Sequence, residues 1–224
     1  MRAALGWLLA VAVVLAVNAG VVYLVGVHGN FPLSDDWAYA WPVRSLCEQG
    51  EIDLLPWTGA SAIAQVGYGA VLCKKLGFSF ETLRASTLVL GVVADLGLLV
   101  LLRLFAVPMS VALVATLAFA LTPLRVNLAF TFMTDLPFTA LAVWSAYFYA
   151  RGLGSRRTLD LALGASLCVA AVLVRQHGVF VAAAAALAAL PFRHPDRGAQ
   201  MAPPEIDPNA ARALRRRLGL KPAP

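Results

Sequence analysis

The chain of 224 residues is 60% hydrophobic and 13% charged, whereas soluble domains are roughly 45–50% apolar and 25% charged. This composition excludes an ordinary water-soluble domain and predicts a membrane protein. The net charge of +6 does not indicate a nucleic-acid partner, because the basic residues lie at the ends of apolar runs and form no aromatic-interleaved basic face.

The first apolar run, residues 3–27, follows Arg2 and is long enough to cross about 30 Å of hydrocarbon. A signal peptide would have an apolar core of only about 7–15 residues, so we predict an uncleaved membrane helix. Further apolar runs cover residues 82–105, 109–124, 134–150, 159–174 and 177–192. The sequence therefore predicts an all-α, polytopic transmembrane helix bundle of about six spans.

The segment from residue 28 to 79, here called the first loop, has mixed polarity and several prolines and glycines. Ser34 is expected to cap a short helix that ends near Gly50. Trp37 and Trp41, four residues apart, would share a face suited to the headgroup level. A second interfacial helix is expected from residue 59 to 76, closed by Gly77.

Orientation follows from the positive-inside rule. With Arg2 in the cytoplasm, the basic residues at 103 and 151–157 fall on the same side. The first loop, the 122–135 connection and the turn at 175–177 then lie outside. We predict a multi-pass protein of the cell (inner) membrane.

The C-terminal segment, residues 193–224, carries seven basic and three acidic residues and is rich in Pro and Ala. Because it has few large apolar residues, it is expected to be a disordered cytoplasmic tail after a membrane module of residues 1–192. A membrane-surface helix at 208–218 is the alternative. The abrupt change after Phe192 also suggests a truncated gene product.

The three cysteines, Cys47, Cys73 and Cys168, show neither a CxxC pair nor metal-ligand spacing. We expect them to be small apolar filler. Since Cys47 and Cys73 share an exported loop, a disulfide between them is the alternative.

Asp35 and Asp36 are adjacent carboxylates at the start of a predicted helix. Such a pair can accept a proton or hold a cation, and mutual repulsion can raise one pKa. The alternative is a pair of water-exposed acids that favours the helix N-terminus.

Two further polar sites fall on the predicted outer face. Asp135 enters a span there, where it either caps the helix or joins Asp35 in binding a divalent metal ion. Arg175 and Gln176 interrupt an apolar stretch; an arginine at this level is a natural phosphate ligand, and the alternative is a snorkelling side chain.

Other charged residues have weaker signals. Lys74, Lys75 and Arg84 flank the interfacial segments and are candidates to meet phosphate groups. Asp95 falls in the middle of a span, where an ionisable residue is a functional hypothesis by default, unless it is protonated or paired inside the bundle.

In order and spacing, four segments resemble the bacterial membrane glycosyltransferases of the dolichyl-phosphate-mannose protein mannosyltransferase type. These are glycosyltransferases of the GT-C fold, a class that includes the aminoarabinose transferases of lipid A. The segments are Ser34-Asp35-Asp36-Trp37, FSFETLRASTLVL at 78–90, FTFMTDLPF at 130–138 and Val174-Arg175-Gln176.

The resemblance implies transfer of a sugar from a polyprenyl-phosphate donor to a glycan, lipid or protein acceptor at the outer face. It implies that Asp35 is the catalytic base and the first residue of an acidic pair completed by Asp36, with Arg175, Gln176 and Lys74 toward the donor phosphate. A transporter-type helical bundle and an inactive membrane fragment or scaffold remain the alternatives.

Overall fold

The computed structural model describes the backbone of residues 2–190 and the side chains of residues 4–190. Within this part of the chain all regular structure is helical, which confirms the predicted all-α class. The predicted tail, residues 193–224, lies outside the described residues. The α-helices are α1 (Arg2–Val25), α2 (Asp36–Glu48), α3 (Ile63–Leu76), α4 (Phe80–Leu104), α5 (Met109–Ala120), α6 (Pro123–Ala129), α7 (Asp135–Ser155), α8 (Thr158–Val174) and α9 (Val179–Ala189), with a 3₁₀ turn at Gln176–Gly178 between the last two.

Two helices in the described range, α1 and α4, are long and apolar enough to cross a membrane. A third span results if α5 and α6 are counted together, although they are bent by 62° at the break between them. Helices α8 and α9, with 17 and 11 residues, are short for 30 Å of hydrocarbon. The multi-helix membrane architecture is confirmed, and the number of six spans stays a prediction.

Helices α2 and α3 of the first loop form a cross-linked hairpin. A disulfide joins Cys47 to Cys73, so the expectation that both cysteines are apolar filler was wrong. A Cβ at Gly69 would lie 2.6 Å from Val43 Cγ2, which shows that the helices approach each other at this glycine. The bond adds a covalent constraint to the apolar cluster that α2 and α3 share.

Helix α2 begins differently from the prediction. Ser34 has a left-handed φ of 53°, and the N-cap is Asp35, whose side chain makes no capping hydrogen bond. The Leu33 amide instead donates to Asp36 Oδ1 at 2.8 Å. Helix α3 starts at Ile63, four residues later than expected, and ends before Gly77 as predicted, where φ is 82°.

The remaining helices pack through small residues. A Cβ at Gly97 of α4 would meet Trp144 Nε1 of α7 at 2.8 Å, and a Cβ at Gly164 of α8 would meet Tyr149 Cγ of α7 at 3.0 Å. The Trp144 indole donates to the Val93 carbonyl at 3.0 Å. These contacts fix α7 between α4 and α8, so its N-terminus has a defined place.

Candidate active site

The first element of the candidate site is a buried ion pair between Asp36 of α2 and Arg84 of α4. Arg84 Nε lies 3.2 Å from Asp36 Oδ2, and the two side chains are 2% and 0% exposed. The guanidinium also donates to the carbonyls of Gly29, at 2.9 Å, and Phe31. Arg84 is therefore not free to meet a lipid phosphate, and that expectation was wrong.

Two more hydrogen bonds tie the start of the first loop to α4. Glu81 Oε1 accepts from the Gly29 amide at 2.7 Å, and Asn30 Oδ1 accepts from the Phe80 amide at 2.9 Å. Together with Arg84 they fasten residues 29–36 to the first turn of α4. The backbone is therefore fixed at the point where this segment turns into α2.

Asp35 lies at that junction, and its side chain is exposed. Within the described residues its carboxylate has neither an ion-pair partner nor a capping hydrogen bond. The two adjacent acids therefore differ: Asp36 is buried and paired with Arg84, whereas Asp35 presents an exposed carboxylate on a held backbone. A carboxylate in this state can accept a proton from a bound hydroxyl.

The second element is an ion pair between Asp135, the first residue of α7, and Arg175, at the break between α8 and the 3₁₀ turn. The side chains are 26% and 32% exposed. Asp135 is thus the partner that Arg175 lacked in the local sequence. A guanidinium carries five N–H donors, so this pairing leaves donors of Arg175 for an anionic ligand.

Residues 59–62 of the first loop run along the break between α8 and the 3₁₀ turn. The Gln176 side-chain amide donates to the Gly59 carbonyl at 2.8 Å, the Ser61 hydroxyl donates to the Val172 carbonyl at 2.7 Å, and the Ala62 amide donates to the Val174 carbonyl at 3.0 Å. Gln176 thus holds the loop beside Arg175. Lys74 is exposed in the last turn of α3, and among the described residues no salt bridge joins it to either ion pair.

A third polar cluster lies deeper in the bundle. Asp95 Oδ2 accepts from Arg125 Nη2 at 2.6 Å and from Asn18 Nδ2 at 2.9 Å, while Arg125 Nη2 also lies 3.0 Å from Asn18 Oδ1. Asp95 is therefore paired inside the bundle. Sequence reasoning missed Arg125 because α6 falls in the 122–135 segment, which was read as a plain connection.

In the described part of the chain, side-chain contacts do not bring the predicted site residues together as a metal centre. In residues 4–190 no three His, Cys, Asp or Glu side chains cluster as a metal site, and the Asp135 carboxylate is bound to Arg175. A divalent ion shared by Asp35 and Asp135 would have to displace that contact. The donor set fits a metal ion poorly, and no chemical step is derived through one.

Comparison with known proteins supplies the class of activity. The family model of dolichyl-phosphate-mannose-protein mannosyltransferases matches residues 66–199, more than half of the chain. No curated protein and no solved structure gives a significant match. The matched range contains Lys74, Asp135 and Arg175, and it begins after Asp35. The chain belongs to the dolichyl-phosphate-mannose-protein mannosyltransferase family and is a membrane glycosyltransferase of the GT-C type.

Proposed function

We propose that this glycosyltransferase moves a sugar from a polyprenyl-phosphate donor to a glycan, lipid or protein acceptor at the outer face of the cell membrane, with Asp35 as the general base. The observation that carries the proposal is the contrast within the acidic pair. Arg84 neutralises Asp36, whereas Asp35 is exposed and unpaired within the described chain. The family match supports the class of reaction.

The proposed step is a direct displacement. An Asp35 oxygen takes the proton of the acceptor hydroxyl while that hydroxyl's oxygen forms a bond to the anomeric carbon. The bond between the anomeric carbon and the phosphate oxygen breaks, and the polyprenyl phosphate leaves with the electron pair. Attack opposite the leaving group inverts the anomeric centre. A positioned base of this kind contributes about 100- to 10,000-fold to the rate.

Arg175 is the proposed partner of the donor phosphate, because its planar fork suits phosphate oxygens and Asp135 holds one of its nitrogens. Gln176 supports it by fastening the loop to the same break. Lys74, exposed at the end of α3, would act as a more distant positive charge.

The test compares purified full-length chain and its variants in nanodiscs, using a panel of synthetic polyprenyl-phosphate sugars. Asp35→Asn keeps the size and removes the charge, so turnover should fall about 100-fold or more with donor affinity unchanged. Glu51→Gln, which neutralises another exposed acid of the first loop, is the matched control and should keep turnover. Near-normal turnover in Asp35→Asn would contradict the proposed role.

Arg175 is tested by donor binding. Arg175→Ala should weaken binding of the polyprenyl-phosphate sugar about 10- to 100-fold, since a charged hydrogen bond contributes roughly 1.5–3 kcal/mol. Asp135→Asn breaks the same ion pair and keeps the guanidinium. If both variants weaken donor binding equally, Arg175 acts through the ion pair and not by meeting the phosphate.

A further inference from the structure

A polar cavity opens beside α2. Its volume is 350 Å³, and it is lined by Trp41, Arg44, Ser45, Glu48, Gln49 and Asp53. Residues 41, 44, 45 and 48 share one face of the helix by their spacing, and Asp53 comes from the segment that follows. The volume is within the range of about 300–1,000 Å³ that is typical of small-molecule sites.

The side chains of this cavity are held in place. Arg44 Nε lies 2.9 Å from Glu48 Oε1, and its guanidinium carbon lies 5.8 Å from the Trp41 ring centre and 5.5 Å from that of Phe78. Ser45 Oγ lies 3.3 Å from Gln49 Oε1. The disulfide at Cys47 fixes the same stretch of α2 to α3. The backbone that carries the cavity is therefore constrained by the disulfide, which reduces the entropy lost on binding.

The chemistry of the lining matches a neutral sugar ring. A pyranose presents an apolar face of C–H groups and a rim of hydroxyls. Trp41, 52% exposed, offers a flat apolar ring face, and Gln49 with the carboxylates offers acceptors and donors for the hydroxyls. Asp53 has no ion-pair partner within residues 4–190, so its oxygens are free to accept hydrogen bonds.

The charge of the cavity decides between ligand classes. One cation, Arg44, stands against two anions, Glu48 and Asp53, so the lining is net negative. A negative cavity repels the phosphate of a lipid headgroup or of the donor. It favours an uncharged or amino sugar, which is the chemistry of an acceptor and not of the donor carrier.

From this we infer that the cavity beside Trp41 is a binding site for an acceptor saccharide. The inference rests on the proposed function, because it assigns the acceptor class of the same enzyme. Trp41 lies six residues after Asp35, about 9 Å along the axis of α2. Six residues turn the helix by about 600°, so Asp35 lies on a different side of α2, and a saccharide held at Trp41 reaches the proposed base only by extending toward the N-terminus of the helix.

The experiment measures binding, not turnover, with the full chain in phosphatidylcholine nanodiscs. Ligand-observed saturation-transfer NMR is recorded with the methyl glycosides of mannose, glucose, galactose and N-acetylglucosamine, and with methyl glucuronide and inorganic phosphate as anionic probes. At least one neutral glycoside should bind saturably, and the anionic probes should bind at least about tenfold more weakly.

Variants locate the site. Trp41→Ala should weaken binding about tenfold, as expected for loss of an aromatic contact worth about 1.4 kcal/mol, and Asp53→Asn should weaken it as well. Trp57→Ala is the matched control, because Trp57 is a similarly exposed tryptophan of the same loop, at 57%, outside the cavity lining. Retention of the Cys47–Cys73 disulfide, measured by thiol counting, shows that each variant keeps the hairpin.

The outcomes separate the inference from the proposed function. Saturable binding without sugar transfer would support the saccharide site and contradict the proposed function. Sugar transfer without binding of any neutral glycoside would support the proposed function and contradict the saccharide site. Equal loss in Trp41→Ala and Trp57→Ala would overturn the site. Quenching of Trp41 by brominated phosphatidylcholine, unaffected by sugar, would place this face in the membrane and also overturn it.

Discussion

The Asp36–Arg84 ion pair should be the main contact that holds the start of the first loop against α4. The free-energy cost of removing it follows from its burial. Arg84→Met keeps an unbranched, apolar stem and removes the guanidinium, which leaves Asp36 as a buried carboxylate without its cation. Breaking a buried pair in this way costs about 3–5 kcal/mol. We expect Arg84→Met to lower the free energy of unfolding by an amount in that range, and Asp36→Leu to lower it by a similar amount.

The double variant Arg84→Met/Asp36→Leu should lose much less than the sum of the two single variants. It removes both charges, so no uncompensated buried ion is left. What remains is the loss of hydrogen bonds to the Gly29 and Phe31 carbonyls and to the Leu33 amide, each of which involves a charged side chain and is worth about 1.5–3 kcal/mol. The double variant should therefore still be destabilised, but by less than the sum of the two single losses, and the difference is the coupling energy between the two sites.

The assay is hydrogen exchange of the chain in nanodiscs, read at the amides of Gly29, Leu33 and Ala38. Since 1.4 kcal/mol corresponds to a factor of ten, Arg84→Met should reduce protection at these amides about 100-fold or more. Protection in α4, beyond its first turn, should change far less. A loss of protection of under about threefold in Arg84→Met would refute the assignment of this pair as the main contact. Strictly additive effects in the double variant would refute it as well.

Two further predictions concern the rest of the fold. Arg125→Met should lower the thermal unfolding temperature more than Arg125→Met/Asp95→Leu does, because the single variant leaves Asp95 charged or forces its protonation; equal losses would contradict a paired role for the cluster. Cys47→Ala/Cys73→Ala should lose about 3.5 kcal/mol of stability from the unfolded-state effect of a 26-residue separation, measured by denaturant unfolding with Cys168→Ala as the control. In intact cells, Cys47 and Cys73 should react with an impermeant maleimide only after an impermeant reductant, and labelling that requires permeant reagents would contradict an outer first loop.

Two of the helices could be predicted closely from the sequence, because a continuous apolar run marks each of them. The run 82–105 corresponds to α4 at Phe80–Leu104, and the run 159–174 to α8 at Thr158–Val174. In contrast α6 has seven residues, too few for a periodic pattern to stand out. The number of membrane spans is harder to predict, since a helix such as α9 is apolar but short. Length alone does not separate a membrane span from a packed segment.

The partners of the charged residues could not be predicted, because no local rule links residues so far apart. Arg84 lies 48 positions from Asp36, and Arg175 lies 40 positions from Asp135. Helix spacing identifies neighbours only three or four residues away. The disulfide was considered as an alternative from the shared loop, but the distance between Cys47 and Cys73 depends on how α2 and α3 pack at Gly69, which is tertiary information.

Pairing, and not the mere presence of acids, distinguishes the candidate base. Four aspartates drew attention in the sequence: Asp35, Asp36, Asp95 and Asp135. In the structure the last three each contact an arginine, which takes up one carboxylate oxygen of each. Among the four, Asp35 alone has no arginine partner within the described residues, and the ion pair at Asp36 holds the backbone that carries it. A base needs both properties, because proton transfer requires a free lone pair within hydrogen-bond reach of the hydroxyl and a carboxylate whose position does not drift.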